Sequence, residues 1–198
     1  MKSKVTLGLI GYFFLGYFAT NYFGNWRGVS HAIAFLFEAK IPFWDWAILG
    51  YLFVFGSLLG TFLLIPSGEE FIKAGREFFW VMTLHYAIFL IFPVKMIWRP
   101  EIAPEGFLSG LTWLFYTVDP PYNCFPSLHV AFPTLATLVT WPEKKYRLLF
   151  IVCAGITAIA VVLVKQHYIL DAVAGALVAI GIHLYFKLTK TCLSRFGH

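Results

Sequence analysis

Six stretches of the chain run almost without charge: residues 5–23, 46–65, 78–94, 126–141, 148–164 and 168–186. Each approaches the roughly 20 apolar residues that an α-helix needs to cross a bilayer core, with 126–141 the shortest. The pattern predicts an all-α integral membrane protein: six transmembrane helices in one membrane-embedded domain, residues 1–198, with no soluble appendage. Residues 5–23 also have the Lys2 and Lys4 of a signal peptide in front. Their apolar stretch is long, however, and no small-x-small cleavage site follows, so a span is the reading taken.

Between the spans the pattern changes. Residues 24–45 place Trp26 and Trp44 around "HAIAFLFEAKIPFW", which predicts an interfacial helix along the outer surface. Residues 95–125 hold Pro100, Pro104, Pro120 and Pro121 and read as ordered loop more than helix. "PSGEEFIKAGREFF" mixes both charges and leads into the third span.

Composition agrees with the pattern. The 198 residues are 60% hydrophobic and 13% charged, with a mean hydropathy of +0.76, against roughly 25% charged in an average soluble domain. The net charge of +5 is unevenly placed. With a cytoplasmic N-terminus, the inner segments hold Lys2, Lys4, Lys73, Arg76, Lys144, Lys145, Arg147, Lys187, Lys190 and Arg195, ten of the fifteen basic residues. The positive-inside rule then puts both termini in the cytoplasm, and a bacterial inner membrane with a periplasmic site fits the small size. The basic surplus is a topology signal with some attraction to anionic lipid, not a nucleic-acid surface. Cys124, Cys153 and Cys192 are scattered without metal-ligand spacing.

Ionisable groups at membrane depth are costly and usually face a cavity or a function. Here they fall in three blocks: "KMIWRP" at 95–100, "PSLH" at 126–129 and "VKQHYILDAVAG" at 164–175. The topology brings all three to the outer ends of their spans. In the last block His167 and Asp171 are four apart and share a helix face. A carboxylate on one ring nitrogen fixes the tautomer and leaves the other nitrogen basic. Alone, the pair reads equally well as a polar cap at the interface. In the second block Pro126 suits a first helical turn and Ser127 sits among its free N–H groups, a start that attracts anions. His129 lies near enough to protonate a leaving oxygen, although an interfacial histidine is the commoner explanation of such a residue. Lys95, Arg99 and Lys165 add cations on the same face. Arginine suits a bidentate grip on phosphate, while snorkelling anchors explain each cation singly. No GxxxxGK[ST] loop is present, which argues against nucleotide-driven phosphoryl transfer.

The order Lys…Arg-Pro, Pro-Ser-x-His, His-x-x-x-Asp resembles the type 2 phosphatidic acid phosphatase superfamily of membrane lipid phosphatases. The resemblance spans three blocks between Lys95 and Asp171. It implies a six-helix core with an outer-face site. It also implies His167 as a nucleophile that forms a phosphohistidine, Asp171 orienting it, and His129 as general acid. Ser127, Lys95 and Arg99 would hold the phosphate, with no metal or other cofactor. Two departures stand out. Lys95 and Arg99 are separated by three residues where the family usually has six. Ala160 and Val161 occupy the places of the usual Ser-Arg before the histidine, and Lys165 is the candidate replacement for that arginine. "PSLHVAFP" and "KQHYILDAVAG" are similar to the inositol phosphorylceramide and sphingomyelin synthase branch, in which an alcohol accepts the phospho group.

The expected function is therefore a phosphatase acting on a phosphorylated lipid, with a phosphotransferase using an alcohol acceptor as the alternative. The expected partners are that substrate and membrane lipids. A transporter for an anionic lipid would show repeated halves or broken helices, and neither is evident. A metalloenzyme would take His129, His167 and Asp171 as ligands, and the adjacent cations argue against adding a dication. His85 and His183 read as interhelical hydrogen-bonders, and His31 and Glu38 as a rim where lipid approaches. Gly175, with Ala172, Ala176 and Ala179, reads as a close-packing face.

Overall fold

A computed structural model describes residues 1–28, 30–66 and 68–196, with side chains through residue 189. The side chains of Lys190, Cys192 and Arg195 lie outside the described residues. The described chain is all-helical, with isolated β-bridges and no strand. Its helices are α1 (Lys2–Arg27), α2 (Ile48–Tyr51), α3 (Phe53–Leu64), α4 (Glu69–Ile91), α5 (Phe107–Val118), α6 (Leu128–Val139), α7 (Arg147–Leu163) and α8 (Ile169–Phe196).

Each of the six apolar runs holds a helix. Two segments, Asp45–Leu64 and Ile169–Thr189, are long and apolar enough to cross a membrane, while α5, α6 and α7 are shorter apolar helices. Only 33% and 22% of those two segments are buried, so most of their apolar surface faces outward, unlike the core helix of a soluble protein.

Helix α6 is the axis of the bundle, packing on α8, α7, α3 and α4. It is short, and most of its residues are buried, from Leu128 and Val130 to Ala136 and Thr137. Ser127 caps its first turn, with Oγ accepting the Val130 N–H at 3.3 Å. Inside α6, Pro133 has no N–H to give the His129 carbonyl, which loosens the helix at its functional end. A core of Tyr17, Phe78, Met82, Tyr86, Leu128, Phe132 and Leu135 joins α1, α4 and α6. A second, of Ile48, Tyr51, Val130, Val161 and Ala172, joins α2, α6, α7 and α8.

Two expectations for the connectors are corrected. The stretch from 24 to 45 forms no α-helix beyond the end of α1. Among the described residues it is extended, with 3-10 turns at Leu36–Lys40 and Asp45–Ala47, and its backbone is tied elsewhere at His31, to Pro93 and Lys95, and at Trp44, to the Leu163 carbonyl. The connector from 95 to 125, read as loop, contains α5. Its prolines lie outside that helix, and Leu108, Leu111 and Phe115 pack inward while Phe107, Trp113, Leu114 and Val118 are exposed.

The connectors around residues 31, 93–97 and 121–124 are stitched together. His31 N–H donates to the Pro93 carbonyl and Lys95 N–H to the His31 carbonyl, both at 2.9 Å. Cys124 N–H donates to the Val94 carbonyl at 3.2 Å, and Met96 N–H to that of Pro121 at 3.0 Å. Tyr168 ties this platform to α8, its hydroxyl donating to the Lys95 carbonyl and accepting from Ile97 N–H, each at 3.0 Å.

Candidate active site

The three polar blocks meet at one end of α6. Helix α7 ends at Leu163, and Lys165 follows in the left-handed region at φ 50. This turn lets Gln166 and His167 both donate their N–H groups to the Val161 carbonyl, at 2.9 and 3.0 Å, in the manner of a helix C-cap. The chain then reverses into α8 with His167 held against the start of α6.

His167 is almost fully buried. Its Nδ1 lies 2.9 Å from the Cys124 carbonyl and 3.4 Å from Asp171 Oδ2. A carbonyl can only accept, so Nδ1 carries the proton and Nε2 presents its lone pair. That lone pair faces His129 Nδ1 at 3.0 Å, and the shared proton therefore sits on His129. His129 Nε2 in turn accepts from the Tyr51 hydroxyl at 2.7 Å. The polar chain Tyr51–His129–His167–Cys124 thus has one consistent set of tautomers with every ring neutral. Burial pushes the His167 imidazole down to about 4, against the opposing pull of Asp119. Its Nε2 lone pair is consequently available from neutral pH until the solution is acidified toward that value.

Asp171 is tied down more firmly than the helix-face reading implied. Its Oδ2 accepts the Tyr168 N–H at 2.8 Å, and its carbonyl accepts from Ser127 N–H at 2.9 Å. The acceptor nearest to His167 Nδ1 is the Cys124 carbonyl, which no sequence pattern marks. Ser127 is fully buried as the cap of α6, with its backbone against Gly175.

Arg99 points into the site. Its guanidinium donates to the Asp119 carbonyl at 2.7 Å, contacts Gln166 Oε1 and lies 4.3 Å over the Tyr116 ring. Its Nε has no partner among the described residues. With His167, Asp119 and Tyr17 it lines a narrow pocket. The other two expected cations stand apart from that pocket. Lys95 Nζ sits 5.1 Å over the Tyr122 ring. Lys165 is buried, donating to the Glu38 carbonyl at 3.3 Å.

Glu38 does not rim an opening. It is buried, and its carboxylate accepts the Phe35 N–H at 3.0 Å and the Ile169 N–H at 2.8 Å. It thus caps α8 from a distant loop, at the helix end where a negative charge is favoured. Glu38→Ala leaves two donors unpaired at an expected cost of about 1–3 kcal/mol, read as a lower melting temperature of the purified protein. His31 stacks on Phe92 at 4.4 Å between ring centres. His183 does bridge helices, to Glu77 Oε2 at 2.8 Å. His85 instead bonds within its own helix, to the Val81 carbonyl at 2.7 Å.

Two site residues were missed by sequence reasoning, Tyr51 and Asp119. Tyr51 lies inside an apolar run, where a tyrosine is unremarked. Asp119 sits in "VDPPYN", inside the proline-bearing connector read as loop. Its carboxylate is 4.0 Å from His129 Nε2 and accepts the Tyr17 hydroxyl at 2.6 Å.

The geometry has its counterpart in the comparison with known families. Residues 43–185, well over half of the chain, match the model of the PAP2 superfamily. The chain belongs to that superfamily. PAP2 membership points to a phosphatase or phosphotransferase acting on phosphorylated substrates. The match contains Tyr51, Arg99, Asp119, His129, His167 and Asp171, whereas Tyr17 and Glu38 lie before it. No curated protein and no solved structure is significantly similar to this PAP2 chain.

Proposed function

We propose that this PAP2 protein is a multi-pass membrane phosphatase that removes phosphate from a lipid through a phosphohistidine on His167, at the extracytoplasmic face. The observation carrying this reading is the directed lone pair of His167. Nδ1–H is committed to Cys124 and Asp171, and Nε2 faces His129, the one neighbour able to hand a proton to a leaving group. Arg99, with a free Nε at the pocket, supplies the charge that attracts a phosphate. Lipid as the substrate class follows from where the site lies, at the end of helices whose exposed surface is apolar.

His167 Nε2 attacks phosphorus as the ester P–O bond breaks. His129, having taken up a second proton from solvent, gives its Nδ1 proton to the leaving oxygen as that oxygen takes the P–O electron pair, and returns to the neutral ring. His129, now a base, deprotonates the acceptor that resolves the N–P bond. Water as acceptor makes the protein a phosphatase. An alcohol makes it a transferase, as the likeness to inositol phosphorylceramide synthases would have it. The test is a panel of phosphatidic acid, phosphatidylglycerol phosphate and polyprenyl diphosphate, with and without polyol alcohols, scoring free phosphate against new lipid. Release of phosphate from at least one lipid supports the reading. Inertness toward all of them, in a protein shown to be folded, overturns it.

Lys165 is proposed to supply the positive charge of the arginine missing from the family pattern, through the field it adds near Gln166 and His167. Lys165→Ala is expected to raise KM several-fold with a smaller change in kcat. Unchanged turnover and affinity would reject that role.

A further inference from the structure

We infer that Asp119 is the carboxylate partner of His129, so that the site is built from two carboxylate–histidine pairs, Asp171–His167 and Asp119–His129. The inference rests on the phosphohistidine reading above and deepens it. His129 reaches His167 through Nδ1, and its Nε2 points the opposite way, toward Tyr51 at 2.7 Å and Asp119 Oδ2 at 4.0 Å. With His129 Nδ1 and His167 Nε2 only 3.0 Å apart, no phosphorus fits between the two nitrogens. Binding of a phosphate therefore requires His129 to draw back from His167. Drawing back moves its Nε2 toward the side where Asp119 stands.

To protonate a leaving oxygen, His129 must carry protons on both nitrogens. Nδ1–H gives its proton to the oxygen, and Nε2–H needs an acceptor. Tyr51 is the donor to a neutral His129, and the carboxylate is the acceptor for a charged one. Tyr17, Tyr51, His167 and Asp119 are the groups that face His129, and of these only Asp119 can balance an imidazolium. The carboxylate is held for this task. Its Oδ1 accepts the Tyr17 hydroxyl at 2.6 Å and Asn21 Nδ2 at 3.5 Å, while Arg99 grips its carbonyl at 2.7 Å. Oδ2 is left facing the ring. Asp119 is a positioning residue that acts through His129, balancing its charge from the Nε2 side.

The bond changes balance as before: N–P forms, P–O breaks, and the proton leaving His129 Nδ1 restores a neutral ring bonded at Nε2. A proton donor matters greatly for an alkoxide leaving group and little for a nitrophenolate, which departs unaided. This difference separates a role in proton donation from a role in folding.

The experiment measures first-turnover release of the leaving group by full-length wild-type, Asp119→Asn and Tyr17→Phe proteins. The substrates are a long-chain alkyl monophosphate and p-nitrophenyl phosphate. Asp119→Asn is expected to slow alkanol release by about 10²-fold and nitrophenolate release by less than about threefold. Tyr17→Phe leaves the carboxylate in place but less anchored, and gives a smaller loss with the same selectivity. Equal losses on both substrates in both variants, or no loss on either, overturn the inference while leaving the phosphohistidine reading intact. Wild-type protein inert toward both substrates overturns the reading of the site and this inference with it.

Discussion

His167→Ala is expected to abolish turnover, lowering it by at least about 10³-fold, because it removes the atom that forms the covalent bond. The effect is large for a geometric reason. Among the described residues, no other side chain in the site offers a lone pair with its second nitrogen so committed. His129 shares one proton with His167 and accepts another from Tyr51. The measurement is single-turnover release of alcohol, together with alkaline quenching to trap an acid-labile phosphoryl group. The adduct should map to His167 in the wild type and vanish in the variant. Near-normal rates in His167→Ala would falsify the scheme. His129→Ala makes a useful contrast, since the nucleophile remains and the adduct still forms on His167, but slowly, because the alcohol must depart without a proton donor.

Gly175→Ala is the second large effect, and it comes from packing instead of chemistry. A methyl at position 175 would lie 2.2 Å from the Ser127 carbonyl oxygen and 3.1 Å from its nitrogen. Those are backbone atoms at the cap of α6, so no side chain can turn aside to relieve the clash. The same stretch donates Ser127 N–H to the Asp171 carbonyl, which ties α6 to α8 four residues before the contact. Overpacking of this kind costs about 1–3 kcal/mol or more. Relief requires α6 and α8 to part, and His129 moves with α6. A displacement near 1 Å at reacting groups costs on the order of 10²-fold in rate. The expected result is a folded but less stable protein with turnover reduced at least about that much, read by thermal denaturation and by the lipid phosphate assay. Gly155→Ala serves as the control, because a methyl there meets nothing within 4 Å. A Gly175→Ala protein as active and stable as that control would show that the helix crossing does not set the site.

Much of the molecule was legible before any coordinates. The apolar runs located α1, α3, α4, α6, α7 and α8 because a helix must satisfy its own backbone wherever its surroundings are apolar. His129, His167 and Asp171 stood out because ionisable groups in such runs are costly enough to demand a reason. Gly175 was noted as a small residue for close packing, and its contact with Ser127 is that role at its tightest.

The connectors were the hard part. An interfacial helix was expected at 24–45, where apolar and aromatic residues cluster, yet the described part of that stretch beyond α1 holds only short 3-10 turns and extended chain, with His31 bonded to Pro93 and Lys95. Local pattern cannot see a hydrogen bond to a partner dozens of positions away, and such partners decide which conformation an outer loop takes. The same blindness made Glu38 look like a surface residue. Its cap on α8 links positions 131 residues apart.

The sequence by itself determined the helical, apolar character of the chain, its family, and the residue types able to handle a phosphate. These depend on local composition and on short spacings, which a linear string preserves. Only the tertiary structure decided the direction of each proton. The neutral tautomer of His167 follows from the Cys124 carbonyl, and the partner of His129 follows from Tyr51 and Asp119. Hydrogen bonds fix tautomers only at contact distance, and contact between α2, α6 and the two outer loops exists only once the bundle has closed.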